Sequence, residues 1–215
     1  MKTVIDRCIE YGLNFDHHGH NVLYNATKRI KNIPGMVCEL GLREGGGLGV
    51  MMLGCIDNQD TDRTFTAIDP YGNVDYEWKD GVTVVFDYTN QMKNKTLKNL
   101  YTLCENFNLN FIFFNMDDTH FFKKHSNGVP VYNRVKTIND TYALVHLDGP
   151  HTTAKLLEEL EFFCEKVGQN GIIVLDDIAG YYDYEKIQQF LSENGFELLE
   201  QSDIKASFIK IKAND

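Results

Sequence analysis

The sequence is short of several things that would each announce a protein class. It holds four prolines and one tryptophan in 215 residues, and no low-complexity tract, which excludes a long disordered linker. It has no basic excess: 21 lysines and arginines face 31 acidic residues, a net charge of −10. That balance argues against a nucleic-acid partner, because neutralising phosphates needs a basic surface. It argues equally against an anionic membrane surface. No apolar run approaches the length of a membrane span. The opening stretch MKTVIDRCIEYGLNFDHH is broken by charges and carries no signal-peptide core. The five cysteines (Cys8, Cys38, Cys55, Cys104, Cys164) form no CxxC or metal-finger spacing. An odd number scattered among apolar neighbours reads as buried free thiols in a reducing compartment. A cytoplasmic protein is expected.

What is there fits one α/β domain. The composition is 43% hydrophobic and 12% aromatic, enough for a sizeable core without staples. Short β-rich runs alternate with helical patterns, the sign of a parallel sheet covered by helices. Residues 1–35 read as a helical preface, ended by Pro34-Gly35, and residues 36–215 as the main domain. Strands are expected at Val37 to Leu40, Thr64 to Ile68, Phe111 to Phe114, Tyr142 to Leu147 and Gly171 to Leu175. Helices are expected at Glu44 to Ile56, after an N-cap at Thr89, at Thr152 to Val167 and at Tyr184 to Glu193. Residues 70–88 are read as a loop with a short extra strand, Val82 to Phe86, and residues 119–140 as a long surface loop. Phe196 to Glu200 and Ala206 to Ile211 have no helix between them, so they form an antiparallel hairpin at one edge. The sum is a Rossmann-like, mostly parallel sheet of seven strands with one antiparallel edge strand and helices on both faces.

Ligands in such sheets bind outside the carboxyl ends of the strands. The first strand runs into Glu39-Leu40-Gly41-Leu42-Arg43-Glu44-Gly45-Gly46-Gly47. These glycines let a ligand approach backbone closely, and the next helix offers unpaired N–H groups. The spacing is neither a clean GxGxxG nor a phosphate loop, which makes a nucleotide-dependent oxidoreductase a poor fit. The second strand ends in Asp69, placed to accept from ribose hydroxyls, or else to cap a turn before Pro70. The third ends near Asp117, which can meet an adenine amine or cap a short helix. The fourth delivers Asp148-Gly149-Pro150-His151 and the fifth Asp176-Asp177. Carboxylates clustered at adjacent strand ends repel, so a cation is the usual compensation. Oxygen donors suit Mg²⁺, with Mn²⁺ or Ca²⁺ as alternatives. Asp16-His17-His18-Gly19-His20 invites a metal reading too, but a solvated loop or a lid over the site is the plainer one. Tyr181, Tyr182 and Tyr184 could line an acceptor pocket or cover the sheet edge.

Taken together, these stations over residues 34–213 resemble class I S-adenosylmethionine-dependent methyltransferases. The runs Ile33 to Gly41, Leu147-Asp148-Gly149 and Leu175-Asp176-Asp177 are similar to the macrocin O-methyltransferase group and to cephalosporin hydroxylase-like proteins. The resemblance implies S-adenosyl-L-methionine as cofactor, bound by Glu39, Gly41, Arg43, Gly45, Gly46, Asp69, Asp117 and Asp148. It implies a divalent metal on Asp148, Asp176 and Asp177, holding an acceptor hydroxyl toward the sulfonium methyl. The acceptor would be a small hydroxylated molecule such as a sugar, and pairing into a homodimer would follow the related proteins. One departure stands out: where sugar methyltransferases have Asp-Gly-Asp, this chain has Pro150, which cannot take a proton. His151 is next in line as general base, with Asp148 beside it. Two alternatives stay open: a metal-independent methyltransferase in which Asp176-Asp177 is structural, and a degenerate cofactor-binding module without catalysis.

Overall fold

The strand β1 (Met36–Leu40) is buried along its whole length, as a central parallel strand with both faces covered must be. Its side chains alternate between two cores: Val37 joins one, while Met36, Cys38 and Leu40 join the other. The computed structural model describes residues 2–15, 18–133 and 135–211, and the seven-stranded sheet follows from this strand outward. On one side lie β2 (Thr64–Ile68) and β5 (Asn110–Phe114), both parallel to β1. On the other lie β8 (Tyr142–Leu147) and β9 (Val167–Leu175), also parallel. The hairpin of β10 (Phe196–Gln201) and β11 (Ala206–Lys210) closes that side, as the missing helix between them requires. Within it the reversed strand β11 is the inner one, pairing with β9.

Four helices cover one face: α1 (Val4–Glu10), α2 (His20–Arg29), α3 (Gly46–Asp57) and α4 (Asn90–Phe107). α3 is apolar on most sides and is buried nearly throughout, because α1 and α2 pack on it from outside. The other face carries α5 (Asp118–Lys124), α6 (Thr153–Lys166) and α7 (Tyr184–Glu193). Both Thr89 and Thr152 cap their helices by accepting from an N–H three residues on. All five cysteines are free and buried, and burial pushes the Cys38 thiol up to about 12.

Two stretches differ from expectation. Residues 119–140 are not a loop. They complete α5, then fold into a hairpin of β6 (Val129–Asn133) and β7 (Val135–Asn139). Asp117 starts the helix by accepting from His120 N–H at 2.8 Å, and Phe121, Val129 and Val131 anchor both pieces in the core. The stretch at 70–88 is a full hairpin, β3 (Gly72–Lys79) with β4 (Val82–Tyr88), separate from the main sheet. Its inward face alternates as a strand should, through Val84, Phe86 and Tyr88.

Candidate active site

The ends of β1, β2, β8 and β9 open into one cavity of about 530 Å³. Two glycines shape its floor. Gly41 has φ +89°, and a side chain there would drive into the backbone carbonyl of Asp148. A side chain on Gly47 would strike the Glu39 carboxylate. The β1–α3 turn is therefore packed tightly against the end of β8 and against Glu39, and Gly45 starts α3 with φ +78°. Gly41, Arg43, Gly46, Asp69, Asp117 and Asp148 all line the cavity.

Asp69 is buried and ties the turn together. Its Oδ2 accepts from the N–H groups of Leu42 and Arg43, both at 2.9 Å, and its Oδ1 from Tyr71 N–H at 2.8 Å. Burial raises its pKa against the pull of those three bonds. The Tyr71 hydroxyl donates to the Arg43 carbonyl and closes the same loop. Asp117 is engaged as a cap: its carboxylate also takes His120 Nδ1 at 2.6 Å. Its neighbour Asp118 is buried, lines the cavity, and has an Oδ2 with no hydrogen-bond partner. Burial raises the Asp118 pKa. Sequence reasoning passed over it because an acidic pair at a strand end does not say which member turns inward.

Of the three carboxylates expected to share a metal, Asp148 and Asp177 line the cavity and Asp176 lies behind it against Asp148. The His151 imidazole lies between the two that line it, its Nε2 3.4 Å from Asp177 and 3.9 Å from Asp148. Burial first, and the nearby Asp176 second, push the Asp148 pKa well above the ordinary carboxylate range. Asp176 is fully buried behind the cavity, 2.5 Å from the Nζ of Lys205. Lys205 Nζ also meets His146 Nε2 at 3.2 Å, and His146 Nδ1 meets Glu39 Oε1 at 2.9 Å. Glu39 Oε2 accepts from Leu48 N–H at 2.9 Å. Burial, opposed by Lys205, raises the Glu39 pKa well above normal. Glu39, His146 and Asp148 have donor atoms within 4.8 Å of one another, yet both imidazole nitrogens are already engaged. Of the trio expected to hold a divalent ion, Asp176 already faces an ammonium group. Lys205 was missed as a single charge between apolar residues at a strand start.

The roof comes from two segments. The β3–β4 hairpin brings Trp78 edge-on to Tyr181 at 5.4 Å, and Tyr181 in turn meets His151 at 5.5 Å. Its tip is clasped: Asp80 accepts from Thr153 N–H at 2.9 Å and from the Thr153 hydroxyl at 2.6 Å. From the N-terminal side, Asn14 bridges to Gly45, and Phe15 and His20 line the cavity. His18 pairs with Asp203 on the surface at 3.1 Å, while Asp16 and His17 lie outside the described residues. Tyr182 donates its hydroxyl to the Asp176 carbonyl at 2.8 Å and Tyr184 donates to Gln201 at 3.0 Å, while Tyr181 packs on the cavity-lining Trp78 and His151.

Comparison with known proteins agrees with this geometry. A methyltransferase domain family matches residues 38–178. No curated protein matches the chain. Among solved structures, the O-methyltransferase NovP is similar at 18% identity and a TM-score of 0.62, covering 90% of this chain and 79% of that one. The calicheamicin methyltransferase CalS11 is similar at 16% identity and a TM-score of 0.63, over 88% and 76%. TomG of Streptomyces achromogenes, an O-methyltransferase solved with S-adenosylmethionine, is similar at 7% identity and 0.61, over 97% and 88%. None of the described helices is long and apolar enough to cross a membrane. With the glycine-held turn, the acidic strand ends and the family match over most of its length, the chain belongs to the class I S-adenosylmethionine-dependent methyltransferases.

Proposed function

We propose that the protein methylates a hydroxyl of a small polyhydroxylated acceptor, a sugar being the leading candidate. The observation that carries this reading is His151, held between Asp148 and Asp177 at the edge of the cofactor cavity and under an aromatic roof. S-adenosylmethionine supplies the electrophilic methyl group, so the chain's own residues have only to bind, orient and accept a proton. The cavity at the strand ends, bordered by the tightly packed glycine turn, Asp69 and the buried Asp118, supports a nucleoside bearing an amine as its ligand. In this reading Asp69 holds the turn under the ribose and keeps acceptor capacity for its hydroxyls. Asp118, rather than the capped Asp117, reads the adenine amine. Asp148 sits below the methionine end, with Glu39 setting the glycine turn behind it.

His151 is the base. Its Nε2 takes the acceptor proton, and the flanking Asp177 carboxylate stabilises the imidazolium that forms. Trp78 and Tyr181 offer flat apolar faces of the kind that stack on sugar rings. A role for a homodimer, as in related proteins, remains part of the proposal but is not needed for this chemistry. Resemblance to NovP, an O-methyltransferase, and to CalS11, a TDP-rhamnose 3'-O-methyltransferase, supports the O-methyl reading. The test is a screen of nucleotide sugars and glycosides with labelled S-adenosylmethionine. Transfer to a hydroxylated acceptor, reduced at least about hundredfold in His151→Ala, is expected for a general base. Transfer unaffected by that change would overturn the assignment of the base.

A further inference from the structure

We infer that Lys205 is a built-in cation that takes the place of a divalent metal, so that cofactor binding and methyl transfer need no metal ion. The inference rests on the methyltransferase reading for its consequence, but not for its geometry. Three carboxylates converge at the cavity floor: Glu39 from β1 and Asp148 from the end of β8, which line it, and Asp176 from the end of β9 behind them. A fully buried ammonium group lies among them, 2.5 Å from Asp176 and one imidazole away from Glu39. Lys205 also acts electrostatically on Asp148, opposing the burial that raises it. A buried charge is tolerated only when paired and hydrogen-bonded, and this one is both.

The lysine is held there by its own turn. Ser202 N–H donates to the Lys205 carbonyl at 2.8 Å, and Ser202 Oγ accepts from Lys205 N–H at 2.9 Å. Ile178 N–H donates to the Ile204 carbonyl at 2.9 Å, tying the β10–β11 turn to the segment after Asp177. The ammonium is thus presented from the turn before β11, which is tied at both Ser202 and Ile204. Its chemical consequence is specific. An ammonium beneath the floor compensates charge but cannot chelate two oxygens of an acceptor. Acceptor activation then falls to a side chain facing the cavity, and a vicinal diol is not required.

The test titrates Mn²⁺ into the wild-type chain by electron paramagnetic resonance and, separately, titrates S-adenosylhomocysteine calorimetrically with EDTA or with Mg²⁺. The wild type is expected to bind Mn²⁺ no tighter than about 1 mM, the weak end of oxygen-ligand sites. Nucleoside affinity should agree within about twofold in the two buffers. Lys205→Met should bind Mn²⁺ at least about tenfold tighter, and melt higher with it, because the carboxylates now lack their cation. The double variant Lys205→Met/Asp176→Asn should lose that gain and fold without metal. Tight Mn²⁺ binding by the wild type, Mg²⁺-dependent nucleoside binding, or a folded Lys205→Met without any gain would each overturn the inference. Failure of the nucleoside to bind in either buffer would instead sink the methyltransferase function, leaving the Mn²⁺ result to decide the role of Lys205.

Discussion

Glu39 and His146 occupy matched positions on the neighbouring parallel strands β1 and β8, and their side chains meet at 2.9 Å with both fully buried. Strand register alone puts them side by side on one face. The pair joins the glycine turn, through Leu48 N–H, to the Lys205–Asp176 pair at the far strand ends. It is the structural link between the glycine turn and the ends of β8 and β9.

That link predicts the effect of crowding it. In Gly47→Ala the new methyl strikes the Glu39 carboxylate and forces the turn to shift. Overpacking of this kind costs about 1–3 kcal/mol. Calorimetry should show S-adenosylhomocysteine affinity reduced at least about tenfold, with the circular dichroism of the fold retained. Unchanged affinity would mean the turn does not carry the cofactor.

Asp69→Asn tests whether the second strand end shapes the loop by hydrogen bonds. The carboxylate accepts three backbone N–H groups, whereas an amide has one oxygen and would turn an N–H toward another N–H. A loss of about 1–3 kcal/mol is expected for the orphaned donor, seen as a lower melting temperature, together with weakened nucleoside binding. A variant that melts like the wild type would show the three bonds to be dispensable.

The adjacent acids Asp117 and Asp118 should separate cleanly. Asp117→Ala removes a helix cap and should cost about 1 kcal/mol of stability while leaving S-adenosylhomocysteine affinity nearly intact. Asp118→Asn alters the carboxyl of a cavity-lining residue whose buried Oδ2 has no partner, and should weaken the nucleoside at least about tenfold. The reverse pattern would return the adenine contact to Asp117.

Glu159 on α6 is fully buried, and neither carboxylate oxygen has a hydrogen-bond partner. Burial, and then the nearby Asp118, raise its pKa well above 4.5. The folded chain therefore keeps a proton that the unfolded chain has released. Its contribution is fully present below pH 4.5 and is lost as pH climbs through the raised folded value. Glu159→Gln removes that loss. The variant should gain stability over the wild type by up to about 1.4 kcal/mol per pH unit across that window. Chemical denaturation at a series of pH values would show it, and parallel curves would refute it.

Much of the architecture was legible in one dimension. Period-two alternation, helix caps and turn residues are local, so the seven strands and the main helices could be read from neighbours in sequence. The acidic strand ends were legible for the same reason: a strand's carboxyl end is a position in the chain. The segment at 119–140 was not, because α5 and the β6–β7 hairpin are short and gain their order from anchors such as Phe121, Val129 and Val131 in a distant core.

By itself the sequence determined the sheet, the glycine turn and a row of acids at the strand ends. Only the tertiary structure decided which acids face the cavity and which face a partner. Asp117 caps a helix while Asp118 turns inward, and Asp176 meets Lys205 while Asp177 meets His151. These choices depend on side-chain direction and on contacts between residues far apart in the chain, such as Lys205 with His146, 59 positions away. Composition and spacing record which charges are present. The folded chain sets which of them are neutralised from within.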